Sequence, residues 1–168
     1  SGNSASDYGG GIYCTSSDPT ILNTILWGNA AAIGPEASLA ITSSVSINYS
    51  DVDGGRAAIQ TDPGCILNWG TGMLDADPLF RDPVNSDFRL QAGSPCIDTG
   101  DPSSALDPDG TRADMGAFYY DQSPNLAITN LVAGQTAQVD IDNCTPASAV
   151  FFVWSFTGSG PVNTPLGP

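Results

Sequence analysis

Carboxylates offer most of the chemistry in this chain. Asp51-x-Asp53-Gly54 and Asp107-x-Asp109-Gly110 each set two carboxylates and a glycine turn within one short loop. That is half of a loop calcium site, and Asp114 adds a third oxygen to the second copy, but neither copy has the distant Glu of an EF-hand. The competing role is an Asx-turn, in which the carboxylate bonds the backbone and the Gly takes positive φ. Hydrolase chemistry needs paired carboxylates. Asp51/Asp53 and Asp75/Asp77 supply pairs, although alternating Asp is common in acidic turns. Lyase chemistry needs a base, and Arg56, Arg81, Arg89 and Arg112 are the only cationic candidates. The last three sit among aspartates, where an Arg–Asp structural pair is the simpler role. The expectation is a chain that is not an enzyme.

Trp69, in Asn68-Trp69-Gly70-Thr71-Gly72, reads as a loop aromatic able to stack on a carbohydrate ring. Trp27, Tyr49, Phe80, Phe88 and Phe118 read as packing residues, and Trp154 as interior. The four cysteines, Cys14, Cys65, Cys96 and Cys144, show no C-x-x-C spacing, and the chain has no His, so zinc-finger and haem-attachment readings fail. Three disulfide connectivities are open. Cys65 with Cys96 is favoured because the two flank one turn-rich stretch, leaving Cys14 with Cys144. The alternative is that Cys14 and Cys96 are small buried apolar residues.

The elements that must position these groups are short. Ile21-Leu22-Asn23-Thr24-Ile25-Leu26-Trp27-Gly28-Asn29 and Ile47-Asn48-Tyr49-Ser50-Asp51-Val52-Asp53-Gly54-Gly55 repeat one pattern, with Asn23 set on Asn48. Gly9-Gly10-Gly11-Ile12-Tyr13-Cys14 supplies part of a third copy. The spacing suits one rung of a β-solenoid, which cannot bury its own apolar face and needs a neighbour on either side. Asn23 and Asn48 are expected to stack as a side-chain ladder. So few copies read as the end of something longer.

Residues 1–55 are therefore read as terminal rungs, with strands around Ile12–Cys14, Thr20–Trp27, Leu39–Ile41 and Val45–Tyr49. Residues 56–120 carry Asp-Pro five times, at 62–63, 77–78, 82–83, 101–102 and 107–108. Proline cannot donate to a ladder, so this stretch reads as a loop-rich cap with strands only at Leu79-Phe80, Phe88–Leu90 and Met115–Tyr120. Residues 121–124 look like a linker. Residues 125–168 read as an incomplete antiparallel β-sandwich, with strands Leu126–Val132, Thr136–Asp142 and Ala149–Phe156. The predicted class is all-β.

Four Lys+Arg against 18 Asp+Glu give a formal charge of −14, all four cations are Arg, and Glu36 is the only Glu. Nucleic acid and anionic lipid both require clustered cations, so neither is an expected partner. No run reaches the roughly 18 apolar residues of a membrane span. At 40% hydrophobic, with patterned β-branched runs, the chain is not of disordered type.

Asp75-Ala76-Asp77-Pro78-Leu79-Phe80-Arg81-Asp82-Pro83 and Asp87-Phe88-Arg89-Leu90-Gln91-Ala92-Gly93-Ser94-Pro95-Cys96-Ile97-Asp98-Thr99-Gly100-Asp101 form a distinctive pair of phrases. With Asp107–Gly110 and Arg112–Tyr120, they resemble the end of bacterial right-handed parallel β-helix proteins of the choice-of-anchor Q, pectin-lyase-like class. The resemblance spans roughly residues 8–120. Residues from Asn125 look like a small Ig-like β-sandwich module that follows such helices, through Asn130-Leu131-Val132-Ala133-Gly134-Gln135. This implies the last rungs and cap of a right-handed parallel β-helix, export, and a cell-surface or matrix location.

The resulting expectation is a structural or adhesive segment of a secreted or cell-surface protein. Its partners are further copies of itself in a filament built by strand addition or stacking, or the rest of a larger polypeptide. Glycans are possible partners, and Ca²⁺ a possible cofactor. The alternative is a carbohydrate-binding or polysaccharide-degrading module.

Overall fold

The computed structural model describes residues 1–129 and 138–142. The chain divides into two compact units, Ser1–Asp121 and Gln122–Pro168.

The first unit is built from three successive turns of chain. The first carries β1 (Ile12–Thr15), β2 (Thr20–Leu22) and β3 (Ile25–Leu26); the second carries β4 (Ala37–Ala40), β5 (Ser44–Asn48) and β6 (Asp51–Val52). The third carries β7 (Ile59–Thr61) and β8 (Ile66–Trp69), with Leu74 bridged to Asp51. Corresponding strands pair in parallel, giving sheets ordered β1-β4-β7, β2-β5-β8 and β3-β6. The ladder also reaches back before β1, where Ser4 bridges Ala30 and Tyr8 bridges Ile33. The third turn lies within 56–120, the stretch read from sequence as cap, so the repeat runs past residue 55.

Inward residues of neighbouring turns stack. Val45 and Ile47 of β5 are 1% and 0% exposed because turns on both sides cover them. Leu39, Ala37 and Val52 complete that layer, with Cys14 and Leu26 on one side and Ile59 on the other. Burying one such aliphatic side chain contributes about 1.5–3 kcal/mol, and only stacking makes that burial available to strands of two to five residues. The middle turn is thus the best buried of the three.

The run Thr20–Trp27, expected as one strand, breaks at Asn23, whose φ is 48°. Asn tolerates the left-handed region, so it makes the sharp bend between β2 and β3. Leu39–Ile41 ends one residue early for a related reason: Ile41 has φ 50° and is 65% exposed at a corner.

After Leu74 the chain forms a hairpin of β9 (Phe80–Asp82) and β10 (Asp87–Leu90), joined by a 3-10 turn at Pro83–Asn85. Asp82 caps that turn by accepting from the Asn85 N–H. Residues 91–121 follow as linked turns, and Met115–Tyr120, expected as a strand, has no ladder partner here and is held by single hydrogen bonds instead.

In the second unit β11 (Asn125–Thr129) and β12 (Gln138–Asp142) pair antiparallel, Asn125 opposite Asp142 and Thr129 opposite Gln138. The expected third strand Ala149–Phe156, with Trp154 and Cys144, lies outside the described residues.

Candidate functional site: the flanking segment and the third turn

Residues 75–120 lie along the side of the coil. A second apolar cluster joins Leu90, Cys96 and Met115 of this segment to Ile25 and Trp27 of the first turn, Tyr49 of the second and Leu74 of the third. Asn23 anchors the contact. Its Oδ1 accepts from the Asp101 N–H at 2.7 Å, its Nδ2 donates to Ser104 Oγ at 3.1 Å, and its carbonyl accepts from the Gly116 N–H at 2.8 Å. Gly116 sits at φ 112°, a conformation strained for any other residue, and a Cβ there would stand a tight 3.0 Å from Ile25 Cδ1. Arg112 stacks over the Tyr49 ring at 5.7 Å while its Nε donates to the Gly100 carbonyl at 2.6 Å.

The Asn23–Asn48 ladder does not form. Ile21 pairs with Ile47 and Leu22 with Asn48, which sets Asn23 beside Tyr49. Tyr49 has φ 43° and occupies the same bend. Pleat alternation dictates the register here: aligning the inward isoleucines places the asparagines one residue out of step. Asn48 instead reaches the third turn, where its Oδ1 accepts from the Thr71 N–H at 3.3 Å. Its neighbour Gly70 has no space for a Cβ, which would overlap that same Oδ1.

Five aspartates were candidate calcium ligands. Asp51, on β6, is fully buried; its Oδ1 accepts from the Ala76 N–H at 3.1 Å and its Oδ2 from the Cys96 thiol at 3.4 Å. Asp53 Oδ2 accepts from the Gly28 N–H of the preceding turn, an arrangement that Asp75 repeats with the Gly54 N–H. Asp107 Oδ2 accepts from the Asp114 N–H, and Asp109 Oδ1 from the amide and hydroxyl of Thr111. Asp114 accepts from the Asp98 N–H at 2.7 Å and the Tyr120 N–H at 2.6 Å. Each carboxylate is a connector between turns or within one loop. Among the described residues, no three His, Cys, Asp or Glu side chains converge on a point that suits a metal ion.

Burial pushes the Asp51, Asp114 and Glu36 carboxyl groups above the ordinary range, against the hydrogen bonds each accepts. Glu36, 2% exposed, takes the N–H and the side-chain amide of Asn29 at 3.0 and 2.5 Å. Asp87 moves the other way: Arg89, bonded to it through Nε and Nη2 at 2.7 Å each, holds it at about 2.

The expected Cys65–Cys96 bridge is replaced by two free thiols in different clusters. Cys65 packs on the coil's interior, while Cys96 is wholly buried against Asp51. Cys14 is also a buried free thiol, so Cys14 and Cys96 take the alternative role of small core residues.

Trp69 is on β8 opposite Ile47, half-buried against the coil interior rather than in a loop. Phe118, read as packing, is instead 51% exposed. With Tyr119, 42% exposed, it lines an open cleft of about 910 Å³ together with Arg81 and Arg89. Sequence reasoning missed this cleft. The available signal was Phe118-Tyr119-Tyr120, three consecutive aromatics whose successive side chains, in extended chain, cannot all share one buried face.

At the third turn the coil interior is less covered. Cys65, Leu67, Trp69 and Met73 are only half-buried, whereas their second-turn neighbours Val45 and Ile47 are enclosed. Among the described residues, β7 pairs only with β4 and β8 only with β5, so each has an unpaired outer edge.

No family model, curated protein or solved structure matches the chain.

Proposed function

We propose that the three-turn coil is the last part of a right-handed parallel β-helix, and that this chain is a structural or adhesive segment of a secreted or cell-surface protein. One observation carries the reading: among the described residues, the third turn presents two unpaired strand edges beside a half-covered apolar layer. An edge of that kind is a template for another strand, and the layer beside it gains burial when a further turn is added. The resemblance of Asp75–Pro83 and Asp87–Asp101 to choice-of-anchor Q β-helix ends supports the same reading, as does the antiparallel β11–β12 pair for a following β-sandwich module. In this proposal the partner at the third turn is a second copy of the chain. The contact is heterologous, so copies add into a filament rather than a closed ring.

Light scattering coupled to size exclusion, over a hundredfold concentration range, tests it. The proposal expects mass to rise with concentration, and negative-stain images to show end-to-end strings. Met73→Glu, which sets a charge on the half-covered layer, is expected to return the chain to monomer. A monomeric wild-type chain at every concentration overturns the assembly.

A further inference from the structure

On the flanking segment, the cleft of about 910 Å³ is lined by Arg81, Arg89, Gln91, Phe118, Tyr119 and Asp121 among others. We propose that it is a binding site for a neutral saccharide, which stacks on Phe118 and Tyr119 and is hydrogen-bonded by the planar side chains beside them. The inference stands on the cleft alone and holds whether or not the coil assembles.

Two observations make the rings a platform rather than loosely packed core. Both are largely exposed, at 51% and 42%, which forfeits burial that folding would otherwise gain. The backbone that carries them is nonetheless pinned on both sides. The Gly116 N–H is held by the Asn23 carbonyl, and the Tyr120 N–H by the buried Asp114 carboxylate at 2.6 Å. Met115 and Tyr120 on either side pack into the second apolar cluster. Rings held open on a fixed backbone lose little freedom on binding, and a pyranose offers them an apolar face of similar size.

The polar groups are similarly set in place. Arg89 is clamped by Asp87 through two bonds of 2.7 Å, and the Gln91 amide by the Phe80 carbonyl at 2.8 Å. Arg guanidinium and Gln amide present planar arrays that suit vicinal hydroxyls.

Charge decides between neutral and acidic sugars. Arg81 and Arg89 are balanced locally by Asp87 and Asp121, so the cleft has no net cationic charge to hold a polyanion. The whole chain, at −14, repels an acidic glycan before contact. Stacking and neutral hydrogen bonds are what remains.

The test uses the full chain at a dilution where it is monomeric, titrated with cellotetraose, maltotetraose and mannotetraose and, as the acidic counterpart, tetragalacturonate. NMR of the aromatic side chains reports the contact and calorimetry the affinity. At least one neutral tetrasaccharide is expected to shift the Phe118 and Tyr119 resonances. Phe118→Ala and Tyr119→Ala are each expected to weaken that binding about tenfold without a change in melting temperature. The proposal is overturned if no neutral tetrasaccharide binds at millimolar concentration, if tetragalacturonate binds more tightly, or if binding survives in the double alanine variant.

Discussion

Asp51 and Cys96, 45 residues apart in sequence, meet inside the protein, where the thiol donates to Asp51 Oδ2 at 3.4 Å. Both side chains are fully buried. The pair joins the second turn of the coil to the flanking segment, and it sets a carboxyl group where ionisation is costly.

That position makes stability depend on pH in an unusual direction. Asp51, Asp114 and Glu36 all have carboxyl groups raised by burial. The folded chain therefore keeps these protons to higher pH than the unfolded chain does. Stability from these groups is full at and below the ordinary carboxylate range and is lost as pH rises through the raised values. Asp87 acts oppositely, losing its contribution only as pH falls toward about 2, and the exposure of its partner Arg89 keeps that effect small. Urea midpoints are expected to be higher near pH 5 than near pH 8. Asp51→Asn should flatten this slope; an equal slope in the variant would show that Asp51 does not contribute to it.

The thiols give a second prediction. Cys65 is half-buried, while Cys14 and Cys96 are enclosed and burial raises both thiols above the ordinary range. The thiolate is the reactive form. Iodoacetamide under native conditions should modify Cys65 first, with Cys14 and Cys96 following only on denaturation, as read by peptide mass spectrometry. A Cys65–Cys96 linked peptide in a non-reducing digest would contradict the arrangement.

Asn23 ties the coil to its flank with both ends of one amide. Asn23→Ala should cost about 1–3 kcal/mol in urea unfolding, from stranded partners and a left-handed backbone that Ala resists. Asn23→Gly relieves the backbone part alone and should fall between. If the two variants lose equal stability, the positive φ carries no cost.

Asn48 and Gly70 should be coupled. Gly70→Ala brings a Cβ onto Asn48 Oδ1, so it is expected to destabilise the wild type by about 1–3 kcal/mol and the Asn48→Ala background by less. Additive losses would place the strain elsewhere, at the Ile47 carbonyl 3.0 Å from the same Cβ.

Calcium provides a final check. Because Asp51, Asp53, Asp107, Asp109 and Asp114 are each engaged with backbone amides, millimolar Ca²⁺ is expected to leave the melting temperature unchanged. A saturating rise would mean that these loops rearrange around the ion.

Much of the scaffold was legible from residue type alone. Short β-branched runs between Gly, Pro and Asp turns determine an all-β chain, and a repeat too short to bury its own face determines parallel stacking of successive turns. Those conclusions need only local geometry and the pleat. The period itself was less secure, because it drifts from 25–26 residues between the first two turns to 22–23 between the next two. A repeat sought at constant spacing therefore loses its third copy.

Only the tertiary structure decided what sits against what. Asn23 meets Ser104 across 81 residues, and Cys96 meets Asp51 across 45. Neither contact leaves a trace in spacing, because linked turns impose no period on the partners they bring together. The same packing set Leu90, Cys96 and Met115 of the expected cap against residues of all three turns. It enclosed two cysteines as core residues and left Phe118 and Tyr119 in the open, since burial is settled by neighbours that a linear pattern does not name.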